Sequence, residues 1–287
     1  MRTFEERSVS TPDGLTLFAR DYAAVGAPRG APVLCLHGLT RSSADFEIVA
    51  PRLATQGRRV IAPDIRGRGR SDRDPQPLRY RPDIYVQDVL TLLDELGIAE
   101  AVVVGTSMGG LMAMLLAALV PARITAAVLN DVGPVISPAG LARIAAYVGK
   151  SAAFVSWDAV IDAVRAAQGA AFPDADGEFW NIFARRTARE RHDGTITFDC
   201  DPAIAEVLTA SPGRQPDLMP LFAALAAKPL LVVRGALSDI LAPEGVEAMR
   251  AAKPDLQFVE VPRVGHAPTL EEPGAARSLE VFLREVA

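Results

Sequence analysis

Ala101-Val102-Val103-Val104-Gly105-Thr106-Ser107-Met108-Gly109-Gly110-Leu111 opens a stretch that carries no charge as far as Val120. Two readings compete for it. A membrane-spanning helix needs about 20 apolar residues, and Gly105-x-x-x-Gly109 has the spacing of closely packed helix pairs in bilayers. The alternative is a buried strand, a tight turn and a helix. Tandem glycines fit a break between strand and helix better than one continuous helix. No second stretch of the chain is long and uncharged enough to be another span. The segment is therefore read as strand, turn and helix.

Ser107 is the middle residue of a G-x-S-x-G turn. Small residues two before and two after it let neighbouring backbones pass closely. Such a turn lifts the serine hydroxyl above the sheet. It also sets a helix N-terminus beneath it, where partial positive charge favours a developing anion. Ser107 is the candidate nucleophile.

The same alternation extends in both directions. Apolar runs at 33–36, 59–62, 101–104, 125–129 and 230–233, with a further strand at 256–261, read as strands, mostly buried on both faces. Helical spacing follows at 43–56, 84–96, 111–120, 243–252 and 272–286. At the N-terminus, Thr11-Pro12-Asp13-Gly14 joins two strands in a hairpin. The predicted fold is α/β, a doubly wound, mostly parallel sheet with helices on both faces. Between 134 and 221 the alternation lapses into helical patterns at 141–148, 157–168, 178–190 and 202–208. The chain is thus expected to divide into a core of 1–133 plus 222–287 and a helical insertion of 134–221.

Composition narrows the partners. With 49% hydrophobic residues and 23% charged, the chain is an ordinary globular one. A net charge of −5 lacks the basic footprint of a nucleic-acid binder. Cys35 and Cys200 make no disulfide framework, and the first residues have no apolar leader. A cytoplasmic protein without a membrane span is expected. Its oligomeric state is left open.

Acyl transfer by a serine needs a base within hydrogen-bond reach and an acid to orient that base. The chain has only three histidines. His266 follows the last strand, and in open α/β sheets ligands bind beyond the carboxyl ends of strands. His266 is the candidate base. Asp239 and Asp131 both follow strand ends, and both lie between Ser107 and His266 in the chain. The residues alone leave that choice open. Two backbone N–H groups must hold the oxyanion. Met108, after the nucleophile, and Leu39, in the loop after strand 33–36, are the candidates. His37 then shapes that loop.

At this point the chain resembles the α/β-hydrolase superfamily over nearly its whole length. The markers are His37-Gly38, Asp64-x-x-Gly67-x-Gly69-x-Ser71, Gly105-Thr106-Ser107-Met108-Gly109-Gly110, Asp239 and Val264-Gly265-His266. The resemblance implies Asp239 as the acid, after the strand that follows the insertion. The usual spacing there is G-x-x-D, whereas here it is Gly235-x-x-x-Asp239. Asp131 is the alternative, since some relatives use the acid after the preceding strand. The resemblance also makes 134–221 a cap over the site, with Trp157 and Trp180 as pocket candidates. It implies a serine hydrolase without cofactor or metal, acting with water on a small carboxylic ester or lactone. A C–C hydrolase of vinylogous diketone acids and a non-catalytic small-molecule receptor are the alternatives. Serine at position 107 excludes an aspartate nucleophile.

Overall fold

The computed structural model describes residues 3–150, 152–210 and 216–286. The chain opens with β1 (Glu5–Ser10), β2 (Thr16–Tyr22) and β3 (Val33–Leu36). Next come α1 (Val49–Thr55), β4 (Val60–Pro63), α2 (Pro82–Glu95), β5 (Ala101–Thr106), α3 (Met108–Leu119) and β6 (Ile124–Asn130). An inserted stretch follows, with α4 (Pro138–Tyr147), β7 (Ala153–Phe154), α5 (Trp157–Gln168), α6 (Gly177–Thr187), β8 (Ala188–Glu190), β9 (Ile196–Phe198), α7 (Ile204–Ala210) and α8 (Met219–Ala226). The chain then returns through β10 (Leu230–Gly235), α9 (Pro243–Ala252), β11 (Gln257–Val261) and α10 (Pro273–Glu285).

Eight strands form one sheet in the order β1-β2-β4-β3-β5-β6-β10-β11. From β4 to β11 every neighbouring pair is parallel, and the first hairpin adds an antiparallel edge. The predicted doubly wound sheet is therefore present. Its side chains alternate between two cores. Ala101 and Val103 of β5 join the core under α2, α3 and α9, while Val102 and Val104 join the core under α1 and α10. Because successive side chains point to opposite faces, a strand buried on both sides has no place for a charge. That explains the uncharged stretch. Among the described residues, no helix is long and apolar enough to cross a membrane.

Two local readings need correction. The helix expected over 43–56 is a short 3-10 turn, Ser43–Phe46, followed by α1. Pro51 cannot sit inside a helix that long without removing a bond and clashing with the preceding turn, so the chain restarts just before it. The insertion is also not purely helical. β7, β9 and β8 form a small antiparallel sheet. The turn at Arg191-His192-Asp193-Gly194 closes its hairpin, with Gly194 at φ +80 and Arg191 N–H donating to Thr195 O. The helix expected over 178–190 accordingly stops at Thr187.

The insertion has its own apolar cluster, built on Val160, Val164, Phe172, Trp180 and Ile196. α8 crosses the expected boundary at 221. Its Phe222 and Leu225 are buried in the core of the main sheet.

Candidate active site

The turn after β5 places Ser107 at φ 52 and ψ −113, a left-handed conformation rare for a residue with a side chain. The two motif glycines make it possible. A Cβ on Gly105 would lie 2.4 Å from the backbone of Gly109, and one on Gly109 would lie 2.1 Å from Leu36 O. β5, β3 and the first turn of α3 are therefore in contact at distances that leave no room for a side chain at either glycine. The Ser107 N–H is anchored to Asn130 O at 3.0 Å.

His266 sits in the loop between β11 and α10. Its Nε2 is 2.9 Å from Ser107 Oγ, and its Nδ1 is 2.8 Å from Asp131 Oδ2. A carboxylate can only accept, so Nδ1 carries a proton and Nε2 is left to accept from the serine hydroxyl. Asp131 is fully buried and takes three donors. Oδ2 accepts from Ser238 Oγ at 2.6 Å as well as from His266, and Oδ1 accepts from Gly235 N–H at 2.9 Å.

Asp239, the acid implied by the resemblance, is not on His266. Its Oδ1 accepts from Arg143 Nη2 of α4 at 2.8 Å, and Oδ2 accepts from Nε of the same guanidinium. Arg143 holds its carboxyl below the usual carboxylate range, with a smaller contribution from His266. The cause is the extra residue after β10. The third position after Gly235 is Ser238, which turns inward to Asp131, and the next residue faces the insertion. The residue that sequence reasoning missed most plainly is Asn130. Its Nδ2 donates to Pro268 O at 2.7 Å and Thr106 Oγ1 at 3.0 Å, tying the histidine loop to the serine turn. Its place at the end of a strand beside Asp131 was the only available signal.

The loop after β3 lies over the serine. A Cβ on Gly38 would be 3.9 Å from Ser107 Cβ. His37 is fully buried beneath this loop. Its Nε2 accepts from Ile65 N–H at 3.0 Å, which leaves Nδ1–H to donate to Gly38 O at 2.7 Å. Burial pushes its pKa down to about 4, so the ring is neutral. Arg41 N–H also donates to Gly38 O, at 3.1 Å. The peptide whose N–H belongs to Leu39 is thus held at its carbonyl end by two donors. No described group accepts from the Leu39 N–H. The Met108 N–H lies in the first turn of α3, where helix N–H groups have no partner within the helix.

A cavity of ≈ 920 Å³ opens over Ser107 and His266, walled by Leu39 on one side and by the insertion on the other. Among the described residues, its basic lining residues are Arg41, Arg73, Arg143, Lys150, Arg186 and Arg191, against Asp45 as the single acidic one. Arg41 is paired with Asp45, Arg143 with Asp239, and Arg186 with Glu47 and Glu271. Arg73 and Lys150 make no ion pair among the described residues. Trp157 and Trp180 do not line this cavity. Trp180 is 2% exposed and packs edge-on against Phe172 and Phe179, while Trp157 lies under the Arg185 guanidinium. An apolar insertion needs its largest rings for its own core.

The sheet order, the strained serine turn and the histidine after the last strand define a class, and the sequence agrees. The chain belongs to the α/β hydrolase fold family, whose sequence model matches residues 31–273. It is similar over 100% of both chains to the crystal structure of an α/β hydrolase from Novosphingobium aromaticivorans, with a TM-score of 0.93 and 46% identity. It is 35% identical over 282 residues to a 3-hydroxybutyrate-oligomer hydrolase of Cupriavidus necator, covering 92% of this chain and 91% of that one. It is 28% identical over 237 residues to a 2-(acetamidomethylene)succinate hydrolase of Mesorhizobium japonicum, covering 83% and 82%.

Proposed function

We propose that the protein is a serine hydrolase that cleaves short carboxylic esters through an acyl-enzyme. The observation that carries this reading is the unbroken chain Ser107 Oγ, His266, Asp131, with spacings of 2.9 and 2.8 Å. His266 Nε2 takes the serine proton as Oγ attacks the ester carbonyl. Leu39 and Met108 N–H groups hold the oxyanion. The imidazolium then returns the proton to the leaving alcohol. In the second half His266 takes a proton from water, which attacks the acyl carbonyl and frees Ser107. Asp131, rather than Asp239, orients the ring and stabilises its charged form.

The preferred substrate is an ester that also carries a free carboxylate, such as a short hydroxy-acid oligomer. The cationic lining supports this, as does the similarity to a hydrolase of 3-hydroxybutyrate oligomers. The insertion then acts as a cap that closes one side of the cavity. We place the enzyme in a reducing compartment, since Cys35 and Cys200 are free thiols.

A fluorophosphonate probe tests the mechanism. It should label the wild type and fail on Ser107→Ala; an unlabelled wild type contradicts the reading and favours a receptor. Turnover of a 3-hydroxybutyrate dimer, a neutral ester, a lactone and a vinylogous diketone acid ranks the substrates. Preference for the diketone acid would move the assignment to C–C hydrolysis.

A further inference from the structure

Arg68 lies at the centre of the Asp64–Ser71 loop and is 1% exposed. Two residues earlier, Arg66 is equally buried, but Asp88, Asp74 and Asp13 surround it. Arg68 is held differently: its guanidinium lies over the Tyr85 ring at 4.8 Å and the Tyr80 ring at 5.6 Å from the centroid. Among the described residues, no carboxylate lies within ion-pair distance of it. Burying a cation without a counter-charge is costly.

What the guanidinium touches gives it a use. Nε donates to Leu39 O at 2.8 Å, and Nη2 lies 3.6 Å from Met108 Sδ. Nη1 is held from behind by Arg66 O at 2.7 Å and Tyr85 OH at 2.9 Å. One buried cation thus reaches both residues whose N–H groups the proposed mechanism uses, Leu39 at its carbonyl and Met108 at its side-chain sulfur. For Leu39 the consequence is specific. His37 and Arg41, through Gly38 O, hold the peptide that carries the Leu39 N–H, and Arg68 holds the peptide that follows it, so the residue is clamped on both sides.

We infer that Arg68 is the positioning residue of the oxyanion hole and that its charge supports the negative charge that develops there. A cation neutralised in the ground state gains little when an anion forms nearby. One left without a carboxylate interacts more strongly with the transition state than with the neutral substrate, which is the condition for raising kcat. This inference rests on the serine-hydrolase reading.

The test compares Arg68→Met and Arg68→Lys with wild type on one ester. Removing a whole oxyanion donor costs roughly 10²–10³ in kcat; loosening one should cost about 10- to 100-fold, with KM within about threefold. An arylboronic acid, which forms a tetrahedral adduct on Ser107, should bind more weakly by the same factor. The carboxylic acid product should bind as before. Arg68→Lys keeps the charge and should recover part of the loss. An Arg68→Met enzyme with wild-type kcat overturns the inference. So does a loss shared equally by boronate and product, which would mark a general structural defect. If Arg68→Met does not fold, Arg68→Lys decides alone, since boronate affinity and kcat must fall together in it. If the wild type turns over no ester, the serine-hydrolase reading itself falls; if only the Arg68 variants behave like wild type, that reading stands and this one fails.

Discussion

Asp131 and His266, separated by 135 positions in the chain, meet through a 2.8 Å hydrogen bond from Nδ1 to Oδ2. The same carboxylate oxygen accepts from Ser238 Oγ at 2.6 Å. Ser238 stands three residues after Gly235, where the usual spacing of the superfamily carries the acid. The loop after β10 reaches the histidine through the Ser238 hydroxyl and the Asp131 carboxylate at the end of β6.

Ser238 should therefore matter without being essential. A hydrogen bond to a charged group contributes about 1.5–3 kcal/mol, and Asp131 keeps two other donors. Ser238→Ala should lower kcat/KM by about tenfold in ester assays, with little change in KM. Unchanged kinetics would mean that Asp131 is oriented without it.

His37 sets a pH dependence of stability. Its folded pKa is pushed down to about 4, against an ordinary value of 6.5. Between these values the unfolded chain binds a proton that the folded chain does not, so stability falls as pH falls. The contribution is intact above about pH 6.5 and is lost progressively down to about pH 4, amounting to at most about 3 kcal/mol. Urea unfolding from pH 7 to pH 4.5 should show this slope, and His37→Gln should flatten it. An equal slope in the variant would assign the effect elsewhere.

Gly109 has no room for a methyl group. Its added Cβ would lie 2.1 Å from Leu36 O, and a backbone oxygen inside a sheet does not swing away. Gly109→Ala should cost about 1–3 kcal/mol or more, measured as a lower urea midpoint, and should slow fluorophosphonate labelling of Ser107. A variant with the wild-type midpoint would show that α3 shifts freely on the sheet.

Much of this is legible in the sequence because it is local. The serine turn depends on glycines next to it, and the strands announce themselves as apolar runs. The meeting of Ser107 with His266 follows from the rule that loops at the carboxyl ends of parallel strands converge. The acid is harder to read, because two adjacent strands, β6 and β10, each offer an aspartate at the right end. Only the lengthened Gly235-x-x-x-Asp239 interval hints that Asp239 turns away, and its partner Arg143 lies 96 positions off. Strands of two and three residues in the insertion carry too little periodicity to be seen. Trp180 reads equally well as pocket or core, and a ring 2% exposed among other aromatics is core.

The most direct test of the account is kcat/KM for Asp131→Asn beside Asp239→Asn on the same ester. Asparagine tolerates the φ of 57 at position 131, so that fold should survive. Asp131→Asn should lose about 10⁴-fold, because the wrong tautomer of His266 is favoured. Asp239→Asn breaks a partly exposed ion pair with Arg143, and such pairs contribute about 0–1 kcal/mol, so its rate should stay within about threefold. A large loss in Asp239→Asn with a near-normal Asp131→Asn would contradict the account.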